Sequence, residues 1–244
     1  MPSAKLLDRF MEPLLAGRRQ DCRAVLAEAL KEIPEPEEVY HNLLWPAMER
    51  VNALFREDQI NLATEHMATR INRCLADQIQ SRLVPRDKKN KRVVIVCADG
   101  EPEELGAQIC ADLFEADGWH VYFVGGGVPN DEILSLVGSL RPDLLLVYGT
   151  KPQGIPAVRK LIDTIREVNA NPAMNILISG GVFNRASGLW QEVNADLFAP
   201  TAQKALAVAN EAKPRTPTIR VPGAPKKRRR RRRPPLLAQY ETES

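Results

Sequence analysis

A four-helix bundle followed by a doubly wound α/β sheet of five parallel strands is the fold the sequence predicts, and three observations predict it. Apolar residues recur at three- and four-residue steps through the first 85 positions, the signature of amphipathic helices. After Pro85 the period changes to short continuous runs of aliphatic and β-branched residues, beginning with Val93-Val-Ile-Val-Cys97, the pattern of strands buried on both faces. Those runs then alternate with helix-length segments up to about residue 212, which is the order of βαβ units.

Leu6, Leu7, Phe10, Met11, Leu14 and Leu15 share one face of a first helix, and Gly17-Arg-Arg ends it. Cys22, Val25, Leu26, Ala29 and Leu30 make a second stripe. Pro34-Glu-Pro36 opens a third helix carrying Val39, Leu43, Leu44, Ala47, Val51 and Phe55, with Pro46 inside it where a kink or restart is expected. A fourth runs from about Asn61 to Leu83, completing a bundle over 1–86. Residues 87–91 read as a charged linker. The α/β unit over 92–212 then places strands at Val93–Cys97, Trp119–Val124, Asp143–Tyr148, Met174–Ser179 and Asp196–Ala199, with helices between them and a last helix to Ala212. From 213 to 244 the chain is rich in proline and arginine with no core-forming pattern, and reads as a disordered tail.

Composition narrows the function classes. No apolar run approaches the ~20 residues a membrane helix needs, and the amino terminus lacks a signal-peptide pattern. Four scattered cysteines (Cys22, Cys74, Cys97 and Cys110) read as thiols of a reducing compartment rather than a disulfide frame or zinc site, so a cytoplasmic location is expected. The net charge of +3 is uneven: residues 226–244 carry +6 and the remainder −3. The basic residues of the tail, Lys226, Lys227, Arg228, Arg229, Arg230, Arg231, Arg232 and Arg233, are expected to contact nucleic acid non-specifically. No Walker A, dinucleotide fingerprint or nucleophile–histidine pairing is present.

The order of helical bundle, linker and α/β unit resembles that of cobalamin-binding modules. The segment from Trp45 through Phe55 to Glu65 and His66 is similar to the cap of adenosylcobalamin photoreceptors of the CarH type, which carries a tryptophan, nine residues and then Glu-His. The α/β part resembles the flavodoxin-like (Rossmann-type) cobalamin fold of methionine synthase and corrinoid methyl-carrier proteins. The resemblance implies that Phe55 stands as an apolar lid over the corrin, that Glu65 contacts the upper group, and that His66 is an upper cobalt ligand. Those families follow the first strand with an acidic residue, any residue, a lower-ligand histidine, two residues and a glycine. In Glu101-Pro-Glu103-Glu104-Leu-Gly106, Glu101 and Gly106 match, but Glu103 replaces the histidine with a harder, poorer ligand for cobalt. The resemblance further places Gly125 and its two following glycines against the ring, Thr150 on the buried nucleotide tail, and Gly180 and Gly181 beside the tunnel of that tail.

The leading reading is a cobalamin-binding, or cobalamin-binding-derived, sensory and regulatory protein, photoreceptor-like and not an enzyme, acting on a transcription regulator or another protein partner. The alternatives are a cofactor-free interaction module that kept the fold, which Glu103 and Phe55 favour, and a corrinoid methyl carrier, which Glu103 disfavours.

Overall fold

A computed structural model describes residues 2–98 and 104–216. Glu101, Glu103 and the basic run from Lys226 to Arg233 lie outside the described residues.

The apolar stripes become helices in the expected order. Helix α1 (Pro2–Leu15) buries Phe10 and Leu14, Gly17 turns the chain at φ +70°, and α2 (Arg19–Glu32) buries Cys22, Leu26 and Ala29. The third helix is broken. A short α3 (Pro36–Val39) leads into a π-helical turn (Tyr40–Leu44) and then α4 (Trp45–Arg56). The cause is Pro46, which has no N–H to offer the carbonyl four residues back. The chain widens by one residue ahead of it, so that the Trp45 N–H donates to Tyr40 O. Helix α5 (Leu62–Gln80) is capped by Asn61, whose Oδ1 accepts from the Thr64 N–H at 2.9 Å.

The five strands, β1 (Arg92–Cys97), β2 (His120–Gly125), β3 (Leu144–Tyr148), β4 (Asn175–Ser179) and β5 (Leu197–Ala199), are all parallel in the order β2-β1-β3-β4-β5. Helices α6 (Leu105–Ala116) and α11 (Ala202–Glu211) cover one face, while α7 (Asn130–Leu140) and α8 (Ile155–Val168) cover the other. Two short helices, α9 (Gly181–Arg185) and α10 (Leu189–Glu192), fill the crossover from β4 to β5. Strand side chains alternate between two cores. Val93, Ile95, Leu144, Leu146 and Leu177 join one continuous with the helical bundle; Val94, Val96, Leu145, Val147 and Ile178 pack under α7 and α8.

The charged linker is clamped. Arg86 N–H donates to Ala116 O and Lys89 N–H to Gly118 O, both at 2.7 Å. A Cβ on Gly118 (φ +89°) would lie 2.1 Å from Asp87 O, so the linker backbone passes directly over that residue. Beneath it, the buried Asp117 carboxylate accepts from Arg86 (3.1 Å), Lys89 and Asn210 (2.8 Å). Burial pushes this carboxyl upward, but the hydrogen bonds from Lys89 and Asn210 and the charges of Lys89 and Arg86 outweigh it and hold Asp117 below its usual range. The start of the segment read as a disordered tail is also tied down. Asn175 Nδ2 donates to Lys213 O, Arg215 N–H donates to Ala173 O, and the Arg215 guanidinium shares Asp196 with Arg166. Proline-rich composition misses this because these are pairings to distant residues.

Among the described residues, one buried polar contact joins the bundle to α6. The Tyr40 hydroxyl lies 2.7 Å from Asp112 Oδ2 and 2.9 Å from Ala76 O. Burial raises the Asp112 carboxyl from 3.8 to about 6, against the pull of its Tyr40 hydrogen bond and with help from the charges of Asp77 and Glu115. The folded state therefore holds this proton more tightly than the unfolded chain. Its contribution is full below about pH 4 and is lost as the pH rises through about 6. Asp117, shifted the other way, titrates below that window. Asp112→Asn is expected to raise unfolding stability at pH 7.5 by on the order of 1–2 kcal/mol, with the gain vanishing near pH 4. Urea unfolding at the two pH values measures it.

Candidate functional site

An open α/β sheet binds ligands beyond the carboxyl ends of its strands, at the point where the strand order reverses. In the order β2-β1-β3-β4-β5 that point lies between β1 and β3, whose last residues, Cys97 and Tyr148, are register partners. The loops leaving β3 and β4 lie beside it, and α4 of the bundle lies across them. Between α4 and these loops is a crevice of about 140 Å³, lined by Trp45, Met48, Asn52, Tyr148, Thr150, Gly181 and Arg185 among others.

The structure divides the sequence-predicted residues into separate groups. Thr150 and Gly181 line the crevice, and Arg185 Nη2 donates to Thr150 O at 2.7 Å. Gly180, at φ +107°, is pressed against the Gly149 backbone, where a Cβ would meet the oxygen at 2.2 Å. Gly106 opens α6, and a Cβ there would lie 2.1 Å from the Tyr148 hydroxyl. Gly125 ends β2 at φ +77°, beside Glu104. On the bundle, Glu65 is buried while the neighbouring His66 is half exposed, with 3.5 Å between Glu65 Oε2 and His66 Nε2. Phe55, near the end of α4, is partly buried, and neither it nor Glu65 or His66 lines the crevice. Among the described residues, no group of three His, Cys, Asp or Glu side chains is placed to hold a metal ion.

Two residues were not singled out by sequence. Glu104 pins the glycine loop after β2: its Oε1 accepts from the Gly126 N–H at 2.6 Å, and its Oε2 lies 3.5 Å from Arg73 of α5. It thus links bundle and strand ends, and its sequence signal, a third carboxylate next to Glu101 and Glu103, was hidden among its neighbours. Tyr148 is 1% exposed, with its hydroxyl 3.8 Å from Met48 Sδ and its ring edge-on to Trp45 at 6.3 Å. In sequence it reads only as the end of an apolar run.

These features define a ligand-binding α/β fold whose strand ends are covered by a helical cap. Two family models, each described as a B12 binding domain, match residues 6–76 and 91–210, together more than three quarters of the chain. The chain belongs to the B12-binding family, and its cofactor class is cobalamin or a related corrinoid. It is 21% identical over 210 residues to dimethylamine corrinoid protein 1 of Methanosarcina mazei, covering 85% of this chain and 95% of that one. A corrinoid protein of Desulfitobacterium hafniense is 20% identical over 211 residues, covering 84% of this chain and 96% of the relative. The solved monomethylamine corrinoid protein of Methanosarcina barkeri superposes with a TM-score of 0.76 at 17% identity, over 84% of this chain and 97% of that one, and so shares the fold.

These matches correct the expectation of a chain outside enzyme chemistry. The relatives are named corrinoid proteins, several of them dimethylamine corrinoid proteins, and they support neither a photoreceptor-like nor a transcription-regulatory role, nor a nucleic-acid partner. No helix among the described residues is long and apolar enough to cross a membrane.

Tested against cobalamin, the described residues fit in one respect and fail in another. Ser179 Oγ, at the end of β4, is fully buried and has no hydrogen-bond partner among the described residues, which also leave the space beside Gly127 open. Of the two glycines expected beside an inserted nucleotide tail, Gly181 lines the crevice, whereas Gly180 faces protein, as does Gly106 at the start of α6. Gly106 is filled by Tyr148 and Gly180 by Gly149, and the 140 Å³ crevice falls below the ~300–1,000 Å³ of ordinary ligand pockets. A cobalamin with its tail inside the domain does not fit this arrangement.

Glu104→Ala is expected to lower stability by about 1–2 kcal/mol through the unpaired Gly126 amide, whereas Glu104→Gln, which keeps an acceptor, costs less. Accelerated hydrogen exchange at Gly126 in the alanine variant alone identifies the loop as the affected part.

Proposed function

We propose that this chain is a corrinoid protein of the methyl-carrier type, working with a methyltransferase-class protein partner. The observation that carries the reading is the continuous alignment with corrinoid proteins through bundle and α/β unit alike, over nearly their whole length. Its support from the geometry is the cap. Helix α4 is seated over the strand ends at the switch point of the sheet, where a flat ligand can be held between two layers. When bound, a corrinoid supplies a metal centre that accepts and gives up a methyl group. The residues of this chain hold and orient it: the Gly125–Gly127 loop, kept in place by Glu104, and the α4 face carrying Trp45 and Met48. Glu103 provides no imidazole at the lower-ligand position of the resemblance, so ligation from below by a protein histidine is not part of the proposal. Glu65, buried on α5, and His66 beside it are proposed to face the upper side, with His66 the imidazole available there.

Hydroxocobalamin incubated in the dark with the purified full chain is expected to co-elute with it in gel filtration. His66→Ala is expected to change the bound spectrum, whereas His41→Ala and His120→Ala leave it unchanged. Failure of the chain to retain any corrinoid sinks the reading. The carrier role requires that methylcobalamin held by the chain serve a corrinoid-dependent methyltransferase better than free methylcobalamin; equal rates remove it.

A further inference from the structure

We propose that Tyr148 plugs the ligand crevice of the sheet and restricts the chain to corrinoids held with their nucleotide tail outside the domain. The proposal rests on the corrinoid reading above and adds to it which part of the molecule is admitted and which residue decides.

The crevice between the carboxyl ends of β1 and β3 is where a sheet of this strand order admits a ligand. Tyr148 is the last residue of β3, and its side chain crosses the crevice to the first turn of α6. There it lies on the bare α-carbon of Gly106, where an added Cβ would be 2.1 Å from the hydroxyl oxygen, 2.2 Å from Cζ and 2.6 Å from Cε2. Gly106 therefore leaves no open cradle; the phenol ring occupies it. From above, α4 closes the same space. Met48 Sδ is 3.8 Å from the hydroxyl, and Trp45 meets the ring edge-on at 6.3 Å with an interplanar angle of 83°. Tyr148 is 1% exposed, so rotating it out means lifting Trp45 and Met48 off the strand ends. The neighbouring route is closed by backbone: a Cβ at Gly180 would meet Gly149 O at 2.2 Å and Gly149 N at 2.8 Å. A plug of this kind is a fixed part of the core, not a lid.

The consequence is a specificity opposite to that of an inserted tail. A tail that gains no contacts contributes nothing to affinity, and a base that stays outside remains free to ligate its own cobalt. The experiment compares hydroxocobalamin with aquacobinamide, the same macrocycle without the nucleotide, on the full wild-type chain, Tyr148→Phe and Tyr148→Ser. Wild type and Tyr148→Phe are expected to bind the two within about threefold of one another, with the bound cobalamin remaining base-on. Tyr148→Ser is expected to gain at least about a tenfold preference for hydroxocobalamin, with its lower base displaced at neutral pH. A wild-type preference for hydroxocobalamin above about tenfold, or a base-off spectrum on wild type, overturns the proposal alone. A Tyr148→Ser chain with wild-type circular dichroism and no tail preference overturns the assignment to Tyr148. If Tyr148→Ser does not fold, the wild-type and Tyr148→Phe comparison still decides. Binding of neither compound by any form overturns the corrinoid reading, and this proposal with it.

Discussion

Helix α6 is buried on nearly every side, and the rest of the structure depends on that burial. Nine of its residues, from Leu105 to Phe114, are buried, because β1 and β2 lie on one side and α5 and α11 on others. A helix apolar all round is unstable as a surface element and requires a second layer. The amino-terminal bundle is that layer, which is why bundle and sheet share one hydrophobic core instead of meeting across a solvated boundary. Asp112 is the exception within the helix, kept in the interior by Tyr40 and by a carboxyl shifted towards its neutral form. The junction of bundle and sheet is consequently sensitive to proton concentration in a range where the solvent-facing carboxylates are already ionised.

The same burial sets the height of α4 above the strand ends. With α5 resting on α6 and the linker clamped over Asp117, the bundle has little freedom to ride up or down. Trp45 and Met48 therefore arrive at a fixed distance from the end of β3, and Tyr148 fills what remains. Glu104 performs the complementary task at β2, joining Arg73 on the bundle to the amide of Gly126. The family's cofactor region is thus present in architecture, but its interior is filled with aromatic and backbone atoms. On the proposed reading, a corrinoid held by such a chain would rest on the strand ends rather than thread between them. The corrinoid relatives align with bundle and α/β unit along nearly their whole length, in keeping with the two-layer plan.

What the sequence by itself determined is everything governed by local period. Leucine and alanine stripes at helical spacing define the bundle, aliphatic runs define the five strands, and Pro46 marks the interruption that became a π turn. These follow from steric and hydrophobic rules that act within a few residues. Gly106, Gly125, Gly180 and Gly181 were singled out too, by their match to a family pattern. What approaches them was not legible. Gly106 meets a tyrosine and Gly180 meets Gly149 only because β1, β3 and β4 become neighbours through crossovers. The burial of Glu65 beside an exposed His66, the anchoring of Lys213 and Arg215, and the closure of the crevice by Tyr148 were likewise decided by tertiary structure. The physical reason is common to all of them: each depends on a contact between residues far apart in the chain, and local periodicity carries no information about which distant side chain will fill a given space.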